Sequence, residues 1–159
     1  MKKENSFPAV FLIAYSFLIC NCNDQPLRKS SLQEAKMGIT KSNKTYFQTF
    51  AKRDASIFTS HHTYGCRIMP SDIPTLCGID APADFFKIAY AKTGVRNGRF
   101  FSLTIPGNGE EFVTEAGFYN FFNAKNEMTE DGKYPALRKK ITEDWMMFRN
   151  LFSLNHNIE

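Results

Sequence analysis

Apolar residues recur at two different intervals along the chain, and this change divides it into a helical part and a sheet part. Between residues 31 and 94 they recur every three or four positions, which is typical of one face of a helix. Beyond residue 94 they recur at nearly every second position, in four runs that are typical of strands. Helices followed by strands predict an α+β fold, with the helices gathered on one face of a mostly antiparallel sheet.

Three helices are predicted from their start signals. Ser31 and Glu34 have the spacing of a capping box and mark the start of the first helix. Asp54 and Asp80 each precede apolar residues at helical spacing, as N-cap residues do, and the third helix has a proline in its first turn. The predicted helices end at about Lys52, His61 and Gly94.

Five strands are predicted, one of them early in the chain. The early strand spans 66–69 and is stopped by Pro70; the stretch PSDIPTLCG that follows predicts a loop. The stretches PGNG, KNEMTEDG and TED separate the later strands, as hairpin connections would. The later strands are predicted at 99–105, 111–122, 134–141 and 145–152.

The later strands are apolar on both faces. Adjacent strand residues point to opposite faces, so the pair Phe100 and Phe101 and the pair Phe121 and Phe122 each place a ring on both. An antiparallel sheet with one wet face should alternate instead. The helices can cover one face, and an exposed apolar face of this size is unusual for a monomer. We therefore expect a homodimer that packs through the outer sheet face.

The first 22 residues have the plan of an export signal. A basic start precedes an apolar run of about 14 residues, too short for the roughly 20 that span a bilayer. This run ends in LICNCND and resembles a bacterial lipoprotein signal, which predicts lipidation of Cys22 or, as the alternative, Cys20. We expect a chain anchored to a bacterial membrane in the cell envelope, on the periplasmic or outer-membrane face. An ordinary cleaved signal or an uncleaved N-terminal anchor are the other interpretations.

The remaining segments and the charge exclude some functions. Residues 23–30 predict a polar tether, 31–155 the folded domain and 156–159 a tail. Basic residues are scattered apart from 138–140, so a nucleic-acid partner is not expected. Cys66 and Cys77 could pair in an oxidising compartment, although two small buried thiols are the simpler interpretation. No metal-ligand spacing is present, and neither a metal nor a cofactor is expected.

Several stretches in order carry a family resemblance: YFQTFAKRDASIFTSHH, RIMP, GIDAPADFF and the final DWMMFRNLFSLN. Together they resemble the SnoaL-like, DUF4440-type branch of the NTF2-like superfamily. In that branch an aromatic residue lies eight residues before a Gly-Asp pair; here these are Tyr46 and Arg53-Asp54, so Arg replaces Gly. The resemblance covers residues 31–155. It implies a cone in which three helices pack on a strongly curved, mixed and mostly antiparallel sheet, usually in a dimer.

Ketosteroid isomerase shares this fold, so its chemistry can be compared by position. That reaction needs an Asp base, a Tyr and a protonated acid. Tyr46 matches the Tyr position, but the base position falls on Met69 and the acid position on Leu137. Neither Met nor Leu can carry a proton, so chemistry of this kind is not expected.

The resemblance also implies which residues face the cavity. Arg149 is one of them, and a buried guanidinium there needs a partner, either a structural carboxylate such as Glu115 or the carboxylate of a bound ligand. His62, at the end of the second helix, and Tyr46 are weak candidates for acid/base groups. The predicted ligand-binding residues are Tyr46, Phe50, His62, Met69, Phe86, Leu137, Met147, Arg149 and Leu151.

Three functions remain open from the sequence. The first is a lipid-anchored domain that binds a small, mostly apolar ligand in its cone. The second is a SnoaL-like enzyme of the cyclase, isomerase or hydratase class that uses His62 and Tyr46. The third is a structural or interaction protein, which we expect if Phe47, Phe86, Met147 and Leu151 fill the cone. Fold alone does not decide among them.

Overall fold

The computed structural model describes residues 31–155, in which helices precede a mixed sheet. All three predicted helical regions are present. The first is interrupted at Phe47, and this break allows Tyr46 and Phe47, neighbours in sequence, both to be buried. Asp54 caps the next helix by accepting from the Ser56 N–H, as predicted. The helices are α1 Ser31–Tyr46, α2 Gln48–Lys52, α3 Ala55–Ser60 and α4 Ala81–Ala91.

Seven strands form one sheet in the order β2-β1-β6-β5-β4-β3, and β7 pairs with β5. The later strands form the predicted antiparallel meander, whereas β1 runs parallel to β6. The sheet is therefore mixed and mostly antiparallel, as expected. The strands are β1 His62–Met69, β2 Leu76–Cys77, β3 Asn97–Thr104, β4 Phe112–Phe122, β5 Met128–Ile141, β6 Asp144–Leu151 and β7 Ser153–Leu154.

Pairing extends the sheet into segments that were predicted as loops. β1 begins four residues early, at His62, and β2 lies inside the predicted loop PSDIPTLCG. β5 starts at Met128 because the long β4 supplies partners for its polar end, including Asn120 opposite Asp131. Backbone hydrogen bonds to a neighbouring strand thus override the turn-like composition of KNEMTEDG.

A bulge in the last long strand changes which of its residues face inward. The register between β5 and β6 shifts between the pairs Leu137–Arg149 and Arg138–Met147. Trp145 and Met147 are buried before the shift, and Asn150 is buried after it. Strict alternation of inward and outward residues predicted that Arg149 and Leu151 are buried. This prediction is wrong beyond Met147, because the extra residue of the bulge exchanges the inward and outward positions.

The core lies between the helices and the inner face of the sheet, which we define as the face that packs on them. Aromatic and aliphatic side chains from α1 to α4 meet those of all the long strands there. A second, smaller cluster joins Ala35 and Ile39 of α1 to Val113 and Trp145. The first half of α1 is therefore anchored to the sheet by a separate set of contacts.

The two cysteines of the described region are not paired. Cys66 is buried and Cys77 is exposed, and both thiols are free. The expectation of two buried thiols is correct only for Cys66. Within residues 31–155 no helix is both long enough and apolar enough to cross a membrane. The predicted signal, Cys20, Cys22, the tether and the tail lie outside the described residues.

Gly98 is a position where the fold excludes a side chain. A Cβ atom there would lie 2.6 Å from two atoms of the Phe47 ring, whereas one at Gly65 would meet nothing within 4 Å. We expect Gly98→Ala to destabilise the protein by about 1–3 kcal/mol through overpacking. Urea unfolding would measure this loss, with Gly65→Ala as the matched control. Equal stability of the two variants would contradict the close packing of α2 on β3.

Candidate functional site

The space between the helices and the sheet is the candidate site, and aromatic rings fill most of it. Phe47, Phe86 and Met147 are all buried there. Ring centroids are 4.7 Å apart between Tyr46 and Phe58 and 4.5 Å between Phe100 and Tyr134. Such contacts stabilise a core beyond the burial of area alone.

A cavity at one end of this interior has room for little more than water. Its volume is about 50 Å³, and Phe85, Phe121 and Phe152 form its apolar wall. Pockets for small molecules commonly have about 300–1,000 Å³. Glu130 also lines it and accepts a hydrogen bond from the Tyr119 hydroxyl at 2.6 Å. Burial raises the pKa of Glu130, despite this hydrogen bond.

The structure brings together only part of the predicted ligand-binding set. The buried members on the inner side are Tyr46, Phe50, His62, Phe86 and Met147. The members that are not fully buried are Met69, Leu137, Arg149 and Leu151.

Strand parity explains why these four residues lie elsewhere. Their neighbours Ile68, Ala136 and Arg138 are buried instead, so Met69 and Leu137 fall on the opposite face of β1 and β5. The bulge in β6 has the same effect on Arg149 and Leu151.

Arg149 does not contact Glu115, the carboxylate that the sequence suggested as its partner. Its Nη1 donates hydrogen bonds to the carbonyl oxygens of Gly65 and Phe148, at 2.9 and 2.7 Å. The guanidinium also lies over the Phe148 ring, with Cζ 3.6 Å from the centroid. Arg149 is thus satisfied by backbone and an aromatic face, at the periphery of the domain.

The buried cation is Arg138, and Glu115 is its partner. Both side chains are fully buried. Nε and Nη2 of Arg138 donate to Oε2 of Glu115 at 2.9 and 2.7 Å. From the sequence, Glu115 was only a possible partner for Arg149, and Arg138 was only one member of the basic run 138–140. The signal that identifies Arg138 as inward-facing is its spacing: it lies two residues after Ala136 and four after Tyr134, on the same apolar face of β5.

Three more side chains complete this buried polar network. The Asn43 amide on α1 accepts from Nη2 of Arg138 at 2.6 Å and donates to Oε1 of Glu115 at 2.6 Å. The hydroxyls of Ser102 and Tyr134 also donate to Oε1. Burial pulls the pKa of Glu115 upward, but Arg138 and the hydrogen bonds outweigh burial and hold it below its ordinary value. The carboxylate is therefore ionised.

His62 is the first residue of β1 and lies in the core, not at a helix end. Its Nδ1 donates to the Phe58 carbonyl oxygen at 2.9 Å, which fixes the neutral tautomer. Burial lowers the pKa of His62 to about 3, although the hydrogen bond to Phe58 opposes this shift. The ring is therefore uncharged at neutral pH and a poor base.

His61 was not selected from the sequence, yet it makes more polar contacts than His62. Its Nδ1 lies 2.9 Å from Ser42 Oγ and its Nε2 3.3 Å from Thr45 Oγ1. Because Thr45 donates to the Ser42 carbonyl, its oxygen is free to accept from Nε2–H, and the Ser42 hydroxyl then donates to Nδ1. Burial lowers the pKa of His61 to about 4, and the positive charge of Arg138 is the second cause of this shift.

A cleft of about 650 Å³ borders Ser42 and His61, between α1 and the β5–β6 turn. Both ring nitrogens of His61 contact hydroxyls, and no carboxylate holds the ring. A serine nucleophile normally relies on a base that a third group orients. The pair Ser42 and His61 therefore lacks the arrangement of a catalytic triad.

Four buried side chains of the interior each have one polar atom without a protein hydrogen-bond partner. Burial raises the pKa of Tyr46 well above its ordinary value, although the charge of Arg138 opposes this shift. The Tyr46 hydroxyl is therefore protonated. The four polar atoms without a protein hydrogen-bond partner are Tyr46 Oη, His62 Nε2, Asn150 Oδ1 and Arg138 Nη1. Within residues 31–155 no group of His, Cys, Asp and Glu could hold a metal ion.

Comparison with known proteins identifies the fold. No protein-family model matches the chain, and no curated protein sequence is significantly similar to it. An NTF-2-like protein of unknown function from Shewanella oneidensis is similar in structure, with a TM-score of 0.62 and 14% identity over 74% of this chain and 98% of that one. A protein of unknown function with a cystatin-like fold, from Nostoc punctiforme, has a TM-score of 0.64 and 14% identity, over 76% and 90% of the two chains.

A ketosteroid isomerase-like protein from Erwinia carotovora is also similar, with a TM-score of 0.61 and 15% identity over 76% of this chain and 96% of that one. Identities this low establish a shared fold and not a shared activity. The described domain therefore has the NTF2-like, cystatin-like α+β fold.

The buried ion pair yields a stability prediction. Arg138→Met leaves the Glu115 carboxylate buried without its cation, so we expect a loss of about 3–5 kcal/mol in the free energy of unfolding. The double variant Glu115→Gln with Arg138→Met removes both charges and should lose less than Arg138→Met alone. Denaturant unfolding of the two single variants and the double variant would measure the coupling. Additive losses would contradict a strong interaction between the two residues.

The buried histidine yields a pH prediction. The folded pKa of His62 is about 3 and lies below its unfolded value, so the unfolded chain binds the proton first as the pH falls. His62 then contributes full stability above pH ~6.5 and loses about 2 kcal/mol of it by pH ~5. Urea unfolding across this window would measure the loss. His62→Gln should flatten the profile. His61→Gln should flatten it by nearly as much between pH ~6.5 and ~5, because the folded pKa of His61 is about 4, and the two variants should differ mainly below pH ~4. An unchanged slope in His62→Gln would contradict this origin.

Proposed function

We propose that this chain is an exported, lipid-anchored interaction module of NTF2-like fold, with a packed interior that serves as a structural core. The observation that carries this proposal is the filling of the interior by Phe47, Phe86 and Met147 together with other aromatic rings. Phe152 is buried at the inner position where strict alternation predicted Leu151. A lipid anchor at Cys22 or Cys20 is supported by the sequence of the first 22 residues alone.

The partner that best fits the outer sheet face is a second copy of the chain. Phe118 on β4 pairs with Phe101 on β3, and they are 39% and 47% exposed although both are large and apolar. Leu137 lies on the same outer side and is only partly buried. A twofold interface would bury these side chains against their own counterparts. This arrangement supports the homodimer that we expected because the sheet is apolar on both faces.

Binding of a small ligand inside the domain is the second candidate function. It is favoured by the partnerless polar atoms of Tyr46, His62, Asn150 and Arg138, since buried polar groups normally have hydrogen-bond partners. None of these four side chains lines the cavity near Glu130, whose volume of about 50 Å³ limits a ligand there to little more than a water molecule.

An enzyme that uses His62 and Tyr46 has less support. The pKa of His62 is lowered to about 3 and that of Tyr46 is raised well above its ordinary value, so neither exchanges protons readily near neutral pH. The Phe58 carbonyl oxygen orients His62, but the Tyr46 hydroxyl has no protein partner, so the geometry offers no acid/base pair.

Native mass spectrometry of the full chain, released from detergent, tests the first two candidates together. We expect a dimer for the wild type and a monomer for Phe118→Lys, because a buried lysine ammonium opposes association. Tyr64→Lys is the matched control, since Tyr64 is 78% exposed on β1, and it should remain dimeric. A wild-type protein that is monomeric at every concentration would refute the homodimer. A stoichiometric small molecule released on unfolding would instead support the second candidate.

A further inference from the structure

One edge of the sheet has no neighbour in the described part of the chain. β3 pairs with β4 on one side, and residues 31–155 supply no strand on its other side. A bulge between Ser102 and Thr104 ends its regular stretch, so residues 97–102 offer a regular edge of about 20 Å. Natural sheets usually protect such an edge with charge, proline or a cover. Here Arg99 is the one charged residue on that stretch and Phe101 is 47% exposed.

A groove runs between this edge and α1, and we call it the α1–β3 groove. It consists of three adjoining clefts of about 590, 400 and 510 Å³. The first two share Thr40 and Ser102, and the last two share Lys44 and Gly98. The clefts therefore form one continuous depression along the free side of β3.

Basic residues from four parts of the chain converge on this groove. None of the residues that line it is an aspartate or a glutamate. None of its cations takes part in an ion pair within residues 31–155. The groove holds five of the 20 lysines and arginines of a chain whose formal charge is +4. The cations are Lys36, Lys44, Arg53, Arg96 and Arg99.

Two carboxylates contact residues that line the groove without lining it themselves. Glu115 contacts Ser102 and Asn43, which line it, but this carboxylate is buried and paired with Arg138. Glu127, beyond the other end, accepts a hydrogen bond from Asn123 at 2.8 Å. The potential along the groove is therefore positive.

Two of the cations are held in place around one aromatic ring. Arg96 Cζ lies 3.6 Å from the centroid of Tyr90, and Nη1 of Arg96 donates to the carbonyl oxygens of Tyr90 and Val95. Arg53 Cζ lies 5.6 Å from the same centroid. Arg53 has a φ of 54°, a left-handed conformation that favours glycine, and yet carries a long cationic side chain. Positioned guanidinium groups of this kind suit recognition of carboxylates.

We propose that the α1–β3 groove binds an extended acidic peptide of another protein, which adds a strand to the free edge of β3. Backbone hydrogen bonds to residues 97–102 would supply affinity, and the side chains would supply specificity. Residues of the added strand that point inward would meet Lys36 and Lys44 of α1, so acidic side chains fit there. Residues that point outward would lie beside Phe101 and beside the apolar stem of Arg99, whose Cζ lies 5.8 Å from the centroid of the Phe122 ring, so apolar side chains fit there. The recognised sequence therefore alternates acidic and apolar residues.

Charge complementarity selects this occupant over two others. The segment 23–30 that precedes α1 carries one acidic and two basic residues, so its charge has the same sign as the groove. A second copy of β3 would bring its own Arg99 and the flanking lysines against the same cations. Both would meet electrostatic repulsion, whereas an acidic strand would not.

The test is binding of short fluorescent peptides to the full chain in detergent at low salt, measured by anisotropy. The probe is a blocked peptide of alternating Glu and Val, matched in length to residues 97–102. We expect it to bind, and we expect a peptide with the same residues in two blocks, Glu then Val, to bind at least fivefold more weakly. A peptide of alternating Lys and Val should not bind. Equal binding of the alternating and block peptides would overturn the strand model.

Charge reversal locates the site. Lys44→Glu and Arg99→Glu should each weaken binding of the alternating Glu-Val peptide by about fivefold, since each replaces an attraction by a repulsion. Lys41→Glu is the matched control, because Lys41 is an exposed lysine of the same helix that does not line the groove. An equal loss in Lys41→Glu would show general electrostatic attraction and overturn the proposed location.

Backbone methylation separates strand addition from simple ionic binding. N-methylation of every second residue removes the donors along one edge of the peptide and leaves the charges unchanged. One of the two methylated registers should lose binding, and the other should retain it, because only one edge of the peptide faces β3. Equal binding of both registers would refute strand addition. Tighter binding of a single-stranded oligothymidine than of the peptide would assign the groove to nucleic acid and overturn the proposal.

Discussion

The buried ion pair between Arg138 and Glu115 is the constraint on which the arrangement of this domain depends. A charge in such an interior is tolerated only with its partner, so β4 and β5 must present both side chains to the same face. A slip of one residue would move either of them to the outer face. Asn43 bonds to both partners and thereby fixes α1 against the central strands. One polar network thus fixes strand register and helix position together.

Aromatic packing around this network determines where function can reside. Tyr46, Phe100 and Phe121 belong to a continuous set of ring contacts that fills the space between the helices and the sheet. The chain shares its fold with a ketosteroid isomerase-like protein, yet Met69 and Leu137, which the sequence resemblance aligns with the base and acid of that enzyme type, have no titratable group. Fold and chemistry are separable because chemistry depends on a few side chains that the fold does not specify. The surface of this domain is therefore a better place to look for function than its interior.

Two surfaces distinguish this domain, and they differ in chemistry. The outer sheet face is apolar around Phe118, which suits a self-complementary partner. The edge of β3 is basic and has free backbone groups, which suits an extended acidic chain. They adjoin at Phe101, whose ring is exposed on the outer side of the edge strand. A partner bound to one surface would therefore contact residues at the border of the other.

The sequence by itself determined the α+β class, the three helical regions and the meander, because these follow from local periodicity and capping. It also determined that the sheet is apolar on both faces. Only the tertiary structure decided that Arg149 faces outward, because a single bulge in β6 reverses inward and outward positions and periodicity cannot locate a bulge. In the same way Lys36, Lys44, Arg53, Arg96 and Arg99 look scattered along the chain. They form one groove because strand pairing brings β3 beside α1, and such long-range contacts leave no local signal.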